Sequence, residues 1–528
     1  MSLAILATLV FWAAHMAGAA TMPGQHGNHP LWDHHSFKTE PTFSPPFVDV
    51  QLPGVTAPGH IMFAQFGPEA TQNAAMIMNQ DGQLVWQTDP SMTRMISNLT
   101  PAKLLNEDIL LYWESSSSQT SQLPVNSQGV IRILDSSYQW IFNITLNDPA
   151  LSTHGQFASL IDPHEAFITP SGTLLVLAYD VRPWDLSPVG GPRKGWIRDG
   201  VVYEINLPDN EILFHWRGSD HIPINESYAG LPNATTEDGS EDASMAPWDY
   251  LHLNSVTAFE DGILLSSRHT CNVYYIEKGS GIIRWTLNGD RNGEFLMTPP
   301  ASFCWQHDVH GHRSQEGRML LTMFNNRNNG TIALDESYGM LIDLKLTGQR
   351  SVTGITMYMD PNESLSSVAG GSMQVLDNGN AFLGYGTQPV MKEYHMDGRL
   401  ASTWRFGSPG SHLVPGAGSY RARKYEWRGC PVKPPKIAGC RHKNGTADVW
   451  MSWNGATEMR LWNVITDSLE KSPSIALTGA PCTGFETKAN VKIRDKAWVQ
   501  AEAVGGCDGA TELTRSEVVA VEEYCAEW

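Results

Sequence analysis

A chain of 528 residues with a formal charge of −19 is long enough for a large apolar core, and for two or three domains or one repeat structure. The acidic balance excludes nucleic acid and anionic membrane surfaces as partners, since both demand clustered Lys and Arg. One short basic run, Arg421 to Lys424, is expected to be part of a solvated linker, as most charge runs are.

In chain order, Leu3 to Ala14 form an apolar run followed by the small residues Ala17, Gly18, Ala19 and Ala20, the pattern of a secretory signal peptide with its cleavage site. Residues 1–20 are therefore expected to direct the protein to the secretory lumen or outside the cell, and 21–44, with His26, His29, His34 and His35, to form a solvated N-terminal extension. No later stretch reaches the roughly twenty apolar residues of a membrane helix, so no membrane insertion is expected. Sequons at Asn98, Asn143, Asn225, Asn233, Asn329, Asn362 and Asn444 are expected to carry glycans on that route. All seven cysteines follow residue 270, at Cys271, Cys304, Cys430, Cys440, Cys482, Cys507 and Cys525. Disulfides are the default in a secreted chain, the odd count leaves at least one thiol unpaired, and Cys430 and Cys440 are spaced to close a short loop.

Two patterns recur between residues 45 and 410. Gly, apolar residues and an aromatic follow one another at Asp81-Gly82-Gln83-Leu84-Val85-Trp86, at Gly281-Ile282-Ile283-Arg284-Trp285 and at Asp397-Gly398 before Trp404, with looser copies ending at Trp140 and Trp216. A second hairpin turns at Ser171-Gly172, Asp261-Gly262, Gly317 and Asn378-Gly379. Glycine supplies the turn, and the aromatic fills a core between sheets. Two hairpins per unit make a four-stranded sheet, and about six such units predict an all-β fold, a six-bladed β-propeller over 45–410, with a β-sandwich array as the alternative. Leu231 to Pro247 reads as a long surface loop. Residues 411–435 are expected to be a linker. Residues 436–528 are expected to form a small C-terminal β-sandwich module, with strands within Val449–Trp462, Ala497–Val504 and Ser516–Tyr524.

His164, His252 and His307 stand at equivalent places, each opening a hairpin eight to ten residues before its glycine. Leading strands of propeller blades line the central channel, so the three imidazoles are expected to share one pocket. Pairing about Asp261-Gly262 brings Arg268 to His252 and Asn254. Arg, His and Asn donors suit a tetrahedral oxyanion. The blander readings are a hydrogen-bonded structural role for each histidine, or a three-histidine zinc site, which Arg268 opposes. His154, His269, His310 and His312 lie nearby without assigned roles.

The strings Asp249-Tyr250-Leu251-His252-Leu253-Asn254-Ser255-Val256, Ser266-Ser267-Arg268-His269 and Trp305-Gln306-His307-Asp308 resemble signatures of the arylsulfotransferase family, in its fungal secreted branch. The resemblance runs from about Pro41 to Arg405. It implies a six-bladed propeller that moves a sulfuryl group from an aryl sulfate to a phenol without a nucleotide donor, a metal or another cofactor. It further implies His307 as the nucleophile that becomes a sulfohistidine, His252, Asn254 and Arg268 as holders of the sulfuryl oxygens, and His164, in Pro163-His164-Glu165, as a further active-site histidine. The chain departs from the bacterial pattern in its C-terminal module and in the Asp308-Val309 that follows His307. Small aromatic or phenolic molecules are the expected partners. Two other functions fit the same channel: a secondary-metabolite tailoring enzyme using the His and Arg side chains for acid–base cyclisation or isomerisation, and a non-catalytic binding propeller.

Overall fold

The computed structural model describes residues 32–525, apart from 52–53, 92–93, 117–126, 233–246, 292, 298–300, 314, 329–334, 409–415, 468–473, 494–497, 507–508 and 522. The expected signal peptide, His26, His29, the sequons at Asn233 and Asn329, Cys507 and most of the expected 231–247 loop lie outside the described residues.

Among the described residues the regular secondary structure is strand, apart from three single-turn helices. Six antiparallel sheets occupy residues 49–425, and five of them run as meanders whose strands pair in sequence order. Their leading strands are Ile96–Leu104, Ala166–Ile168, Leu253–Phe259, His307–Arg313 and Ser372–Val375. The remaining sheet joins His60–Phe66, Ala75–Met78 and Leu84–Gln87 to a leading strand from much later in the chain, Gly418–Tyr425. Asp49–Gln51 in turn adds a fifth strand to the last meander, beside Leu400–Arg405. Leading strands of successive sheets touch one another, and that of the last meander touches Gly418–Tyr425, so the contacts run in a cycle.

The recurring aromatic marks the fourth strand of its sheet. Trp86, Trp216, Trp285 and Trp404 are buried there, whereas Trp140 is half-exposed under the Arg132 guanidinium. The Asp-Gly turns feed these strands: Gly82 has φ +78°, and a Cβ on it would lie 2.8 Å from the Val48 side chain. At Asp261-Gly262 the positive φ falls on Glu260 instead, at 51°.

The described part of the expected linker, residues 416–435, is not one. Gly418–Tyr425 is a buried strand paired with His60–Phe66 along its length, and Arg421, Arg423 and Lys424 are buried rather than solvated. The basic run misled because its partners are remote in sequence: Glu165 and Asp308 pair with Arg421, Asp308 with Arg423, and Glu393 with Lys424. Buried charge persists only where such partners and hydrogen bonds surround it.

Beyond it, a three-stranded sheet (Lys436–Arg441, Thr446–Ser452, Glu486–Lys492) and a second sheet (Ser474–Pro481, Leu461–Asp467, Trp498–Gly506, Gly509–Arg515) share one apolar core that includes Ile437, Val449, Trp462, Val464, Val491 and Ala501. The span Val449–Trp462 overlaps two strands, Thr446–Ser452 and Leu461–Asp467, and the final strand is only Val519–Ala520. Cys440 pairs with Cys525, not with Cys430, because Lys436–Arg441 lies beside the chain end, where Cys525 N donates to Arg441 O. Cys430 is itself disulfide-bonded, and Cys482 is a free thiol. The expected solvated extension also packs from Trp32 onward: Thr39 N donates to Glu486 Oε1 at 2.7 Å, and His35 stacks on Phe37.

Asn98 is 4% exposed in the leading strand of its sheet, with φ +60°, so no glycan fits there in this fold. Asn143, Asn225, Asn362 and Asn444 are exposed. Among the described residues no helix is long and apolar enough to cross a membrane.

Candidate active site

The site begins with irregularities in the leading strands. Pairing slips between Leu253 and Ser255, between His307 and His310, and opposite the Phe63–Gln65 stretch, where Gly418–Tyr425 pairs with it. Such bulges re-aim side chains that regular pleating would send into the sheet faces. They fall at Asn254, at Asp308 (φ +58°) and near Tyr420 and Arg421. His252 precedes its strand with φ +47°.

The expected convergence is present. The His164 and His252 rings meet edge to face at 4.9 Å, and Tyr420 lies 5.5 Å from His164 and 6.1 Å from His307, centroid to centroid. Arg268 N donates to His252 O at 3.0 Å, the register that pairing about Asp261-Gly262 predicts. Asn254 is fully buried and donates from Nδ2 to Gln306 O at 2.7 Å, which leaves its Oδ1 without a hydrogen bond. His269 stacks against His252 and accepts from Arg268 Nη1 at 2.9 Å.

Each of the three histidines is held through Nδ1. Asp162 accepts from His164, and Asp249 Oδ2 from His252 at 2.6 Å; each aspartate also receives its histidine's backbone N–H. For His307 the acceptor is Asn326 Oδ1, at 2.7 Å. The orientation of that amide is determined by its other end, because Asn326 Nδ2 donates to Ser367 O and Gly370 O, both at 2.9 Å. Asn326 therefore offers only an oxygen, Nδ1 of His307 carries the proton, and its Nε2 keeps the lone pair. Gly370 N–H donates to that lone pair at 3.3 Å, a hydrogen bond that a substrate must displace before Nε2 can attack. Asn326, Asp162 and Tyr420 were not singled out from the sequence. Only the sequence adjacency of Asp162 to His164 offered a signal.

Burial keeps the imidazoles of His307, His252 and His269 neutral beside the charged Arg268. Burial, then the Arg268 charge, hold His307 well below the ordinary histidine range, and burial followed by the neighbouring His164 and Arg268 does the same to His252. Burial lowers His269 to about 3 and Arg268 to about 10. Burial raises Tyr420 so far that its hydroxyl stays protonated, and that hydroxyl has no hydrogen-bond partner. Arg268 Nη2 donates to Val368 O at 3.0 Å and its plane lies 5.2 Å over Trp305, while its Nε is unpartnered. None of the described carboxylates lies within ion-pair distance of it; Asp249 supports its charge only from farther off, which leaves room for a bound anion.

Cys271 and Cys304 form a disulfide between the segments that carry Arg268 and His307. Asp249, His252 and His269 each present a potential metal-ligand atom within 4.8 Å of the others. The Arg268 guanidinium on His269 Nε2 opposes a dication there. His442, Asp448 and Cys525 form a second such group, but Cys525 is spent in its disulfide.

Replacing Asn326 with Leu removes the acceptor that fixes the His307 tautomer. A fall of roughly 10²-fold in turnover is expected for a reaction that uses this lone pair, measured beside Asn326→Asp, which restores an acceptor. The lowered histidines also set an acid limit. Their folded pKa values lie below the unfolded value of about 6.5, so below that pH the unfolded chain binds protons that the folded chain refuses. Folding stability is then lost progressively as pH falls from about 6.5 toward 4, and urea midpoints across that range will show it.

Solved structures similar to this chain include a protein of unknown function from Bacteroides caccae (12% identity, 70% of this chain and 99% of that chain covered, TM-score 0.37). Virginiamycin B lyase from Staphylococcus aureus matches at 12% identity over 77% of this chain and 97% of that chain, with TM-score 0.31. The Swd1 β-propeller domain of Myceliophteria thermophila matches at 10% identity over 68% and 99%, with TM-score 0.27. No curated protein sequence matches the chain. The arylsulfotransferase (ASST) family profile matches residues 100–407, more than half of the sequence and the span that holds His164, His252, Arg268 and His307, and the chain belongs to that family.

Proposed function

We propose that this protein is an arylsulfotransferase that carries a sulfuryl group from an aryl sulfate to a phenolic acceptor through a sulfohistidine at His307. The observation that carries the reading is the pairing of an ion-unpaired Arg268 with a buried, neutral His307 whose Nε2 lone pair is set by Asn326. The six sheets are read as the blades of a closed propeller, supported by the cyclic contacts of their leading strands. The two C-terminal sheets are read as a small sandwich. Secretion, and glycans at Asn143, Asn225, Asn362 and Asn444, belong to the same proposal, and the disulfides are compatible with it.

In the first half-reaction Nε2 of His307 attacks sulfur and the S–O bond to the aryl group breaks. The phenolate takes the electron pair and a proton from protonated His164, and Arg268 and the second Nδ2 hydrogen of Asn254 hold the sulfuryl oxygens, while neutral His252, its N–H spent on Asp249, offers them no donor. Charge that develops on equatorial oxygens is stabilised by preorganised donors. In the second half the acceptor phenol loses its proton, its oxygen attacks sulfur, and the S–N bond returns its pair to Nε2. His164, backed by Asp162, is the group placed to move these protons. An unpaired cation selects an anionic substrate group, which favours sulfuryl transfer over tailoring of a neutral metabolite. The test is intact-protein mass spectrometry after brief exposure to p-nitrophenyl sulfate without acceptor. A sulfuryl adduct that maps to the His307 peptide and is discharged by added phenol supports the reading. Nitrophenolate release with no adduct, or no release from several aryl sulfates, overturns it.

A further inference from the structure

The family match ends at residue 407, ten residues short of the strand Gly418–Tyr425. That strand brings to the centre of the molecule a guanidinium that is 1% exposed. Arg421 Nη1 donates to Glu165 Oε1 at 2.7 Å, Nη2 to Asn254 O at 3.0 Å, and Nε lies 3.3 Å from Asp308 Oδ1. The three partners are, in turn, the residue after His164, the backbone of Asn254 itself, and the residue after His307. One guanidinium thus makes two hydrogen bonds and one ion contact, to the residue before the leading strand Ala166–Ile168 and to the leading strands that carry Asn254 and His307. Asp308 is braced from its other side by Arg423, with Nη1 at 2.7 Å from Oδ2, and by Met373 N–H at 2.8 Å. Tyr420, next to Arg421, packs against His164 and His307.

We propose that Arg421 is the positioning residue of this site: its fork locks the segments bearing His164, Asn254 and His307 into one mutual register, so the site is completed only when Gly418–Tyr425 docks. The proposal rests on the transfer reading for its effect on rate, but not for its effect on geometry. Lysine cannot substitute, because a single ammonium keeps the charge but cannot reproduce the fork that reaches Glu165 Oε1 and Asn254 O from two separate nitrogens while lying against Asp308. Displacement of about 1 Å at a reacting group is enough to cost on the order of 10²-fold in rate. A merely structural residue would change stability alone.

The test compares wild type with Arg421→Lys and Glu165→Gln in the full chain, with Arg399→Ala, an exposed arginine on Asp397, as control. The readouts are kcat and KM with an aryl sulfate, thermal midpoint, and 15N-histidine NMR of the His164 and His307 tautomers. A folded Arg421→Lys is expected to lose about 10–10²-fold in kcat with KM nearly unchanged, and to show shifted or doubled His164 and His307 signals. A folded Arg421→Lys with wild-type kcat and single, unshifted signals overturns the proposal. If Arg421→Lys does not fold, Glu165→Gln decides: a shifted His164 signal supports the proposal, and wild-type signals and rate overturn it. Should wild type transfer no sulfuryl group while the variant's histidine signals still move, Arg421 keeps its role and the proposed function falls.

Discussion

On the proposed sulfohistidine route, His307→Ala will abolish sulfuryl transfer, with a loss on the order of 10⁴-fold or more in kcat/KM, because deleting the covalent nucleophile would leave only the binding and electrostatic groups around it. His164 and His252 are tied through Nδ1 to their own aspartates, as His307 is to Asn326, and their rings meet each other edge to face, so it is the mapped adduct that separates His307 from them. The fold should tolerate the change, since the deleted ring leaves Asn326 with its Ser367 and Gly370 carbonyl contacts. Steady-state assay with p-nitrophenyl sulfate and a phenol, beside the intact mass, measures both consequences. A variant that still accumulates the adduct would place the nucleophile elsewhere.

Arg268→Met will lower kcat by about 10²–10³-fold, the usual cost of removing a donor aimed at developing negative charge. Arg268→Lys should recover part of it, since the point charge returns without the fork. The two variants should also separate function from stability. Arg268 spends its donors on a neutral imidazole and a backbone carbonyl, and burial presses its pKa down to about 10. A buried cation without an ion partner is a cost to the folded state, so the Met variant is expected to melt no lower than wild type while its turnover collapses. Removing an arginine that pairs with buried carboxylates would do the opposite. Calorimetric midpoints beside kcat values test the contrast, and a Met variant with wild-type turnover would remove Arg268 from the site.

Much of the site was legible because its parts are local. Asp249 to Val256, Ser266 to His269 and Trp305 to Asp308 are short strings, and a hairpin's register follows from its turn, so Arg268 could be placed beside His252 before any fold was known. The all-β class was equally plain from repeated Gly turns and aromatic-ended strands. The positions of Gln306, His269 and Trp305 next to site residues were visible, but not their contacts.

What the sequence by itself determined, then, was the period of the strands, the turns, and which histidines open equivalent hairpins, since these depend on residues within one hairpin of each other. Tertiary structure alone decided the rest. Asn326 acts on His307 across 19 residues, Glu165 meets Arg421 across 256, and Asp308 meets Arg423 across 115. Nothing in a local pattern distinguishes a basic run that will be solvated from one that three remote carboxylates will neutralise, and that is why Gly418–Tyr425 read as a linker. Likewise Asn98 carries a valid sequon but sits in a bulged, buried strand. In both cases the outcome depends on desolvation, and desolvation depends on which distant strands arrive beside the residue.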